Sequence, residues 1–148
     1  VEMARFARRV VGVDFNPDTL AAARQRIDRL GLRNVTLLSE NVNELPLDAS
    51  SIDVTFFSQS LHHLDDPKSG LREAFRILRP GGCVFVMELA AHREQWVLEK
   101  LNHKWLGFER DNLLSMMQET GLADLQSELL PLRREELFQV MLASGIKP

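Results

Sequence analysis

One cysteine and no tyrosine occur among the 148 residues. The lone Cys83 lies inside an apolar run, so no internal disulfide can form, and it reads as a small buried hydrophobe in a reducing, cytoplasmic setting. No apolar run approaches the roughly 18 residues needed to span a bilayer, and the opening residues carry no signal-peptide pattern, so no membrane role is expected. An excess of one charge is lacking too. The 18 Lys and Arg against 21 Asp and Glu leave a net charge of -3, without the field that holds a polyanion, and no direct nucleic-acid binding is expected. Arg5, Arg8, Arg9, Arg24, Arg26 and Arg29 cluster early and read as solvated helix faces. Repeats, low-complexity tracts and linkers are absent. With 45% hydrophobic residues the chain supports one core, and residues 1–148 read as a single domain.

What is present is an alternation of β and α patterns. Residues 1–9 (VEMARFARR) read as the last turns of an amphipathic helix with Val1 or Met3 and Phe6 as its apolar contacts. VVGVD (10–14) is a buried strand. Asn16 is a good N-cap and Pro17 a good first helical residue, and Leu20, Ala23, Ile27 and Leu30 follow at helical spacing until Gly31. NVTLLSEN (34–41) and SIDVTFFSQ (51–59) read as further strands, separated by a loop at 46–51. A helix from about Pro67 to Leu78 carries Leu71, Phe75 and Leu78 on one face, and RPGG (79–82) reads as a tight turn into the strand CVFVMELA (83–90). HREQWVLEKLNHKW (92–105) has Val97, Leu101 and Trp105 spaced by four and reads as a helix. ERDNLLSMMQETG (109–121) is another, stopped by Gly121. LADLQSELLPL and ELFQVMLAS then read as an antiparallel hairpin at one sheet edge, turning around Arg133 and Arg134. The expected fold is α/β, a Rossmann-like doubly wound and mostly parallel sheet with right-handed crossovers and a C-terminal antiparallel hairpin.

Asp14 closes an apolar strand and leads straight into a helix start. In doubly wound folds an acidic residue at that place accepts the hydroxyls of a nucleoside ribose, roughly 20 residues after a glycine-rich turn that holds the rest of the cofactor. Thirteen residues precede Asp14. The glycine-rich turn is therefore expected to fall before Val1, and the domain to be N-terminally incomplete.

Four strings in register, VVGVDFNPDTLAAAR, ENVNELPL, SIDVTFFSQSLHHLDDP and REAFRILRPGGCVFVMELA, resemble a class I S-adenosylmethionine-dependent methyltransferase of type 11-like character. The resemblance implies a sheet of seven strands in the order 3-2-1-4-5-7-6, here without strand 1, so that strands 2 and 4 each lose one hydrogen-bonded ladder. It implies a methyltransferase with S-adenosyl-L-methionine as cofactor and a small-molecule methyl acceptor. HREQWVLEKLNHKWLGF (92–108) is similar to methyltransferase domains fused behind an ArsR-type winged-helix repressor, which implies a fused winged-helix domain or a homodimer as partner.

On this resemblance Asp14 binds the ribose diol, consistent with a carboxylate's capacity for two charge-assisted hydrogen bonds, and Phe15 lies against the adenine. Where the family has Gly-Asp-Ala this chain has Glu40, Asn41 and Val42; Asn41 would still accept from the adenine amino group through its carbonyl oxygen, and the Val42 backbone N–H would donate to the ring. Ser58 lines the cofactor pocket where the third strand ends, because ligands in such sheets sit beyond the carboxyl ends of the strands. His63, His92 and Trp105 are assigned to the acceptor side, with His103 on the same covering segment. The alternative readings are helix surface for His92 and His103 and core for Trp105. His62 and His63 suggest a base or a metal site, yet adjacent residues point to different sides and no third ligand stands at metal-site spacing, so no metal is expected and the catalytic residues stay unassigned. The glycine loop holds the methionine end of the cofactor in this family, so the polypeptide alone is expected to bind the cofactor poorly. Two other functions fit Asp14 or the fold: an NAD-dependent oxidoreductase, against which stand the missing tyrosine and the RPGG turn, and a non-catalytic ligand-sensing or dimerisation domain of an ArsR-type regulator.

Overall fold

The computed structural model describes residues 1–132 and 137–148, which fall into two compact units, Val1–Pro46 and Leu47–Pro148. The first unit opens with a 3₁₀ turn, Glu2–Arg5, followed by β1 (Val10–Asp14), α1 (Pro17–Arg29) and β2 (Val35–Ser39). β1 and β2 pair in parallel with Asp14 opposite Ser39, and α1 is the crossover between them. The Asn16 side chain accepts from the amides of Asp18 and Thr19, which fixes the start of α1 directly behind the tip of β1. The expected helix over 1–9 is a correction. Only the 3₁₀ turn forms, Phe6 is 87% exposed and Ala4 is the buried residue. The Asn34 amide takes the carbonyls of Ala4 and Ala7, which ties this segment to the start of β2 and withdraws those acceptors from a helix ladder.

The second unit contains β3 (Ile52–Ser58), a 3₁₀ turn at Leu61–His63, α2 (Pro67–Ile77), β4 (Leu78–Leu89), α3 (Trp96–Lys100), α4 (Arg110–Glu119), β5 (Ala123–Leu129) and β6 (Val140–Ile146). Its sheet runs in the order β3-β4-β6-β5, with β3 parallel to β4 and both pairs of β6 antiparallel. The C-terminal antiparallel pair at a sheet edge is as expected; the turn expected at Arg133 and Arg134 lies outside the described residues. The core gathers Leu71 of α2, Val84 and Val86 of β4, Leu113 and Met117 of α4, and Met141 and Ala143 of β6. Among the described residues β1 carries a ladder only towards β2, and β3 only towards β4.

Two further expectations are corrected. RPGG does not precede β4 but lies inside it, as an irregularity where the register passes from Ile52 opposite Leu78 to Val54 opposite Cys83. Gly81 (φ +77) supplies the left-handed residue, and its amide donates to the Lys147 carbonyl. Cys83 itself is half-buried rather than buried. The helix expected over 92–105 shrinks to the short α3, because amides that would continue it bond elsewhere: those of Lys104 and Trp105 both donate to the His62 carbonyl. Asn102, at φ +54, makes the turn, a conformation Asn tolerates better than most residues.

Candidate functional site

In the first unit, the parallel register places the end of β1 beside the end of β2, so Asp14 and the loop 40–42 lie on one rim. Asp14 is half-buried, and its Oδ1 accepts the Asn16 amide at 2.8 Å. No second contact engages Oδ2 among the described residues. Phe15 is 69% exposed, which leaves its ring face open. Asn41 is exposed with Oδ1 accepting the Asn43 amide at 3.0 Å, so one lone pair of the oxygen expected to meet adenine is already used. Val42 is half-buried. The geometry brings together four of the five expected cofactor residues.

The fifth, Ser58, is exposed at the C-terminal end of β3 in the second unit. There the chain turns through Gln59 (φ +50), whose amide bonds the Met87 carbonyl at 2.7 Å, into the 3₁₀ turn that carries His62 and His63. The sequence reading that adjacent histidines diverge fails here: their ring centroids are 4.3 Å apart, since a 3₁₀ turn does not impose the alternation of a strand. His103, expected on a helix surface, is buried, with its ring 4.2 Å from that of His62 and 4.9 Å from that of His63. Beneath them Glu88 of β4 is fully buried; its carboxylate accepts from the Leu61 amide at 2.6 Å and from His62 Nδ1 at 2.6 Å, with a longer contact from the Leu89 amide. Burial first, then the neighbouring His62, His63 and His92 rings, push His103 down to about 4, with Glu88 opposing. Burial likewise lowers His92. Both rings are therefore neutral near pH 7 and present lone pairs rather than charge.

His92 and Trp105 take part in a different feature, a cleft of about 490 Å³ with Ala91, Gly107, Phe108 and Met116 among its walls. His63 is not among its lining residues. Trp105 is 42% exposed rather than core, anchored by its Nε1 donating to the Leu64 carbonyl at 2.8 Å. The backbone of 106–108 runs beside the end of β4, where the amides of Ala91 and His92 bond the carbonyls of Phe108 and Leu106. At the cleft edge Lys68 Nζ and Glu119 Oε2 form an ion pair.

A profile of the methyltransferase domain family matches residues 1–86, more than half of the chain. The chain belongs to the class I S-adenosylmethionine-dependent methyltransferases. A probable S-adenosylmethionine-dependent methyltransferase of Mycolicibacterium smegmatis is 32% identical over 146 residues, covering 84% of this chain and 53% of that protein. The chain thus spans about half the length of that curated relative. Among solved structures, the YcgJ protein of Bacillus subtilis matches with a TM-score of 0.82 at 16% identity, covering 98% of this chain and 85% of that one. The cyclase SpnF matches with a TM-score of 0.83 at 17% identity, covering 99% and 70%. These likenesses establish the Rossmann-like methyltransferase fold, and the cyclase illustrates that the fold does not fix the reaction.

Sequence reasoning missed Glu88 and the burial of His103. A signal for the first was there: Glu88 interrupts the otherwise apolar run CVFVMELA, and a carboxylate there needs partners. No local signal marked the second, because His103 meets His62 through a contact about forty residues apart in sequence.

Proposed function

We propose that this chain, as one domain over residues 1–148, takes part in S-adenosylmethionine-dependent methyl transfer to a small-molecule acceptor. The observation that carries this reading is Asp14: a half-buried carboxylate at the carboxyl end of a parallel strand, with one oxygen steadied by a backbone amide and the other available. A carboxylate so held has lone pairs left for both hydroxyls of a ribose. Phe15 offers an exposed ring to the adenine face. Asn41 would accept from the adenine amino group through its remaining lone pair, and the Val42 backbone N–H would donate to the ring, while Ser58, at the carboxyl end of β3, is a separate candidate cofactor contact. The first-unit residues Asp14, Phe15, Asn41 and Val42 fit the nucleoside half of the cofactor.

The bound cofactor supplies a methyl group activated by its attachment to a sulfonium sulfur. What the protein must add is chiefly alignment and exclusion of water, and alignment alone is worth ~7–11 kcal/mol, so the unassigned catalytic residues do not count against the reading. The cleft of about 490 Å³ beside β4 suits a small acceptor, with Trp105 as an apolar wall and the neutral His92 as a polar contact.

Titration of S-adenosylhomocysteine into wild-type protein and Asp14→Asn, at concentrations that resolve the weak binding expected of this polypeptide, tests the reading. Replacing a charged acceptor by a neutral one in a charge-assisted contact costs ~1.5–3 kcal/mol, so the variant should bind about ten- to a hundredfold more weakly. Equal affinity removes Asp14 from the site, and tighter binding of NADH than of S-adenosylhomocysteine would reassign it to hydride transfer.

A further inference from the structure

Beyond the acceptor-side role expected of His63, the methyl-transfer reading does not use the imidazoles of His62, His63 and His103, yet they converge. One ring nitrogen from each lies within 4.8 Å of the others. Their remaining contacts are organised in a particular way. His62 Nδ1 donates to the buried Glu88 carboxylate at 2.6 Å, which leaves Nε2 as its free nitrogen. His63 Nδ1 lies 3.3 Å from the Asn102 carbonyl and can donate to it, again leaving Nε2. His103 Nδ1 is buried and has no hydrogen-bond partner among the described residues. Two imidazoles thus have their tautomers set by an acceptor behind the ring, and the third holds an unpartnered buried nitrogen beside them.

We propose that His62, His63 and His103 bind a divalent first-row transition cation of the zinc class, with Glu88 positioning His62. A carboxylate behind a ligating histidine is the usual outer contact of such sites: it fixes the tautomer and raises the basicity of the ring. Imidazole-only ligation suits Zn²⁺, Co²⁺ and Ni²⁺ rather than the oxygen-seeking Mg²⁺ or Ca²⁺. Tetrahedral bonds of about 2.0–2.1 Å put ligand nitrogens about 3.3 Å apart, so the rings must turn their nitrogens inward from the 4.8 Å spread to close on the ion. Three protein ligands leave a fourth position, reached from the half-buried His63 side. The backbone is already braced for this: the amides of Lys104 and Trp105, the two residues after His103, both bond the His62 carbonyl and hold the two ligand-bearing loops together.

The test uses untagged, chelator-treated protein, ZnCl₂ and CoCl₂, and needs neither cofactor nor acceptor, so it stands or falls apart from the methyltransferase reading. Calorimetry is expected to give one equivalent of Zn²⁺ per chain with a micromolar or tighter Kd, and Co²⁺ to give the intense visible bands of a four-coordinate nitrogen site. His63→Ala and His103→Ala should each weaken binding at least tenfold, and Glu88→Gln ten- to a hundredfold with the Co²⁺ bands shifted. His63 is only half-buried, so His63→Ala stays informative should His103→Ala fail to fold, as judged by far-UV circular dichroism. Wild-type protein that takes up neither metal, or His63→Ala binding as tightly as wild type, overturns the proposal.

Discussion

Removing the Glu88 carboxylate should be among the most destabilising single changes available to the second unit. Glu88→Ala strips the acceptor from the Leu61 amide, from His62 Nδ1 and from the Leu89 amide, all in a place without solvent access. A buried donor left without a partner costs ~1–3 kcal/mol. The 3.2 Å bond to Leu89 is the weakest of the three, and a water entering the space left by the side chain would recover part of the loss. Deleting one partner of a buried pair costs ~3–5 kcal/mol, which is the figure expected here. At ~3–5 °C of Tm per kcal/mol for a domain of this size, the transition should fall by about 9–25 °C. Urea unfolding followed by circular dichroism, with chelator present so that bound metal adds nothing, measures it directly. Pairing Glu88→Ala with His62→Ala in a double-mutant cycle should give a coupling of ~1 kcal/mol or more, since each single change orphans the other group. A loss below ~1 kcal/mol for Glu88→Ala would refute the reasoning, because the carboxylate could not then be the acceptor on which the 3₁₀ turn rests.

Gly107→Ala should destabilise by a different route. Gly107 sits at φ +75, and an added Cβ would collide with the Ala90 carbonyl oxygen and meet the Leu89 oxygen at 2.8 Å, backbone atoms that cannot step aside. We expect ~3 kcal/mol or more and a displaced cleft wall, and a wild-type Tm would refute the contact. Gly31→Ala, also left-handed at φ +62 but facing open space, should cost only ~1–2 kcal/mol. The Lys68 hydrogen bond, then its charge, holds the Glu119 carboxyl below the usual carboxylate range. A depressed carboxylate contributes stability above its unfolded pKa and loses it as pH falls through the folded value. Lys68 and Glu119 are 39% and 55% exposed, however, so solvent and salt screen the pair. Lys68→Ala should leave the urea midpoint at pH 7 unchanged within error in high salt, and a large shift there would show that the pair is not screened as its exposure implies.

The elements set by local chemistry were legible in the sequence. Asn16 and Pro17 start α1 where their capping chemistry requires, and Gly31 and Gly121 stand in left-handed conformations directly beyond helix ends. The β-branched and aromatic run at 51–59 is β3, and the hydrophobic pattern after Gly121 is the antiparallel pair β5 and β6. What escaped was decided at a distance. RPGG carries the composition of a turn, but the parallel pairing with β3 and the Lys147 bond absorb it into β4 as a bulge. Phe6 has the spacing of a core residue, but the Asn34 amide dictates the path of its segment. On the site, Asp14 and Ser58 stand at the carboxyl ends of β1 and β3, where the strand pattern puts them, whereas the fates of His103 and Trp105 depended on which carbonyl their loop would find.

That loop explains why the second unit has two features where the sequence suggested one. A continuous helix over 92–105 would point Val97, Leu101 and Trp105 down a common face and leave His103 in solvent. Instead Val97 alone of the three is buried, its carbonyl accepts from Leu101 and His103, and the following two amides cross to His62. The helix forfeits at least two of its own hydrogen bonds and recovers them against the 3₁₀ turn, so the backbone loses little while the side chains are redistributed. His103 goes inward to the other histidines, and Trp105 goes outward to the cleft, its indole N–H fastened to Leu64. Because the same two amides hold both arrangements, a change that loosens the histidine cluster has a direct covalent and hydrogen-bonded path to the wall of the cleft, and Trp105 fluorescence is the natural reporter of whether it is used.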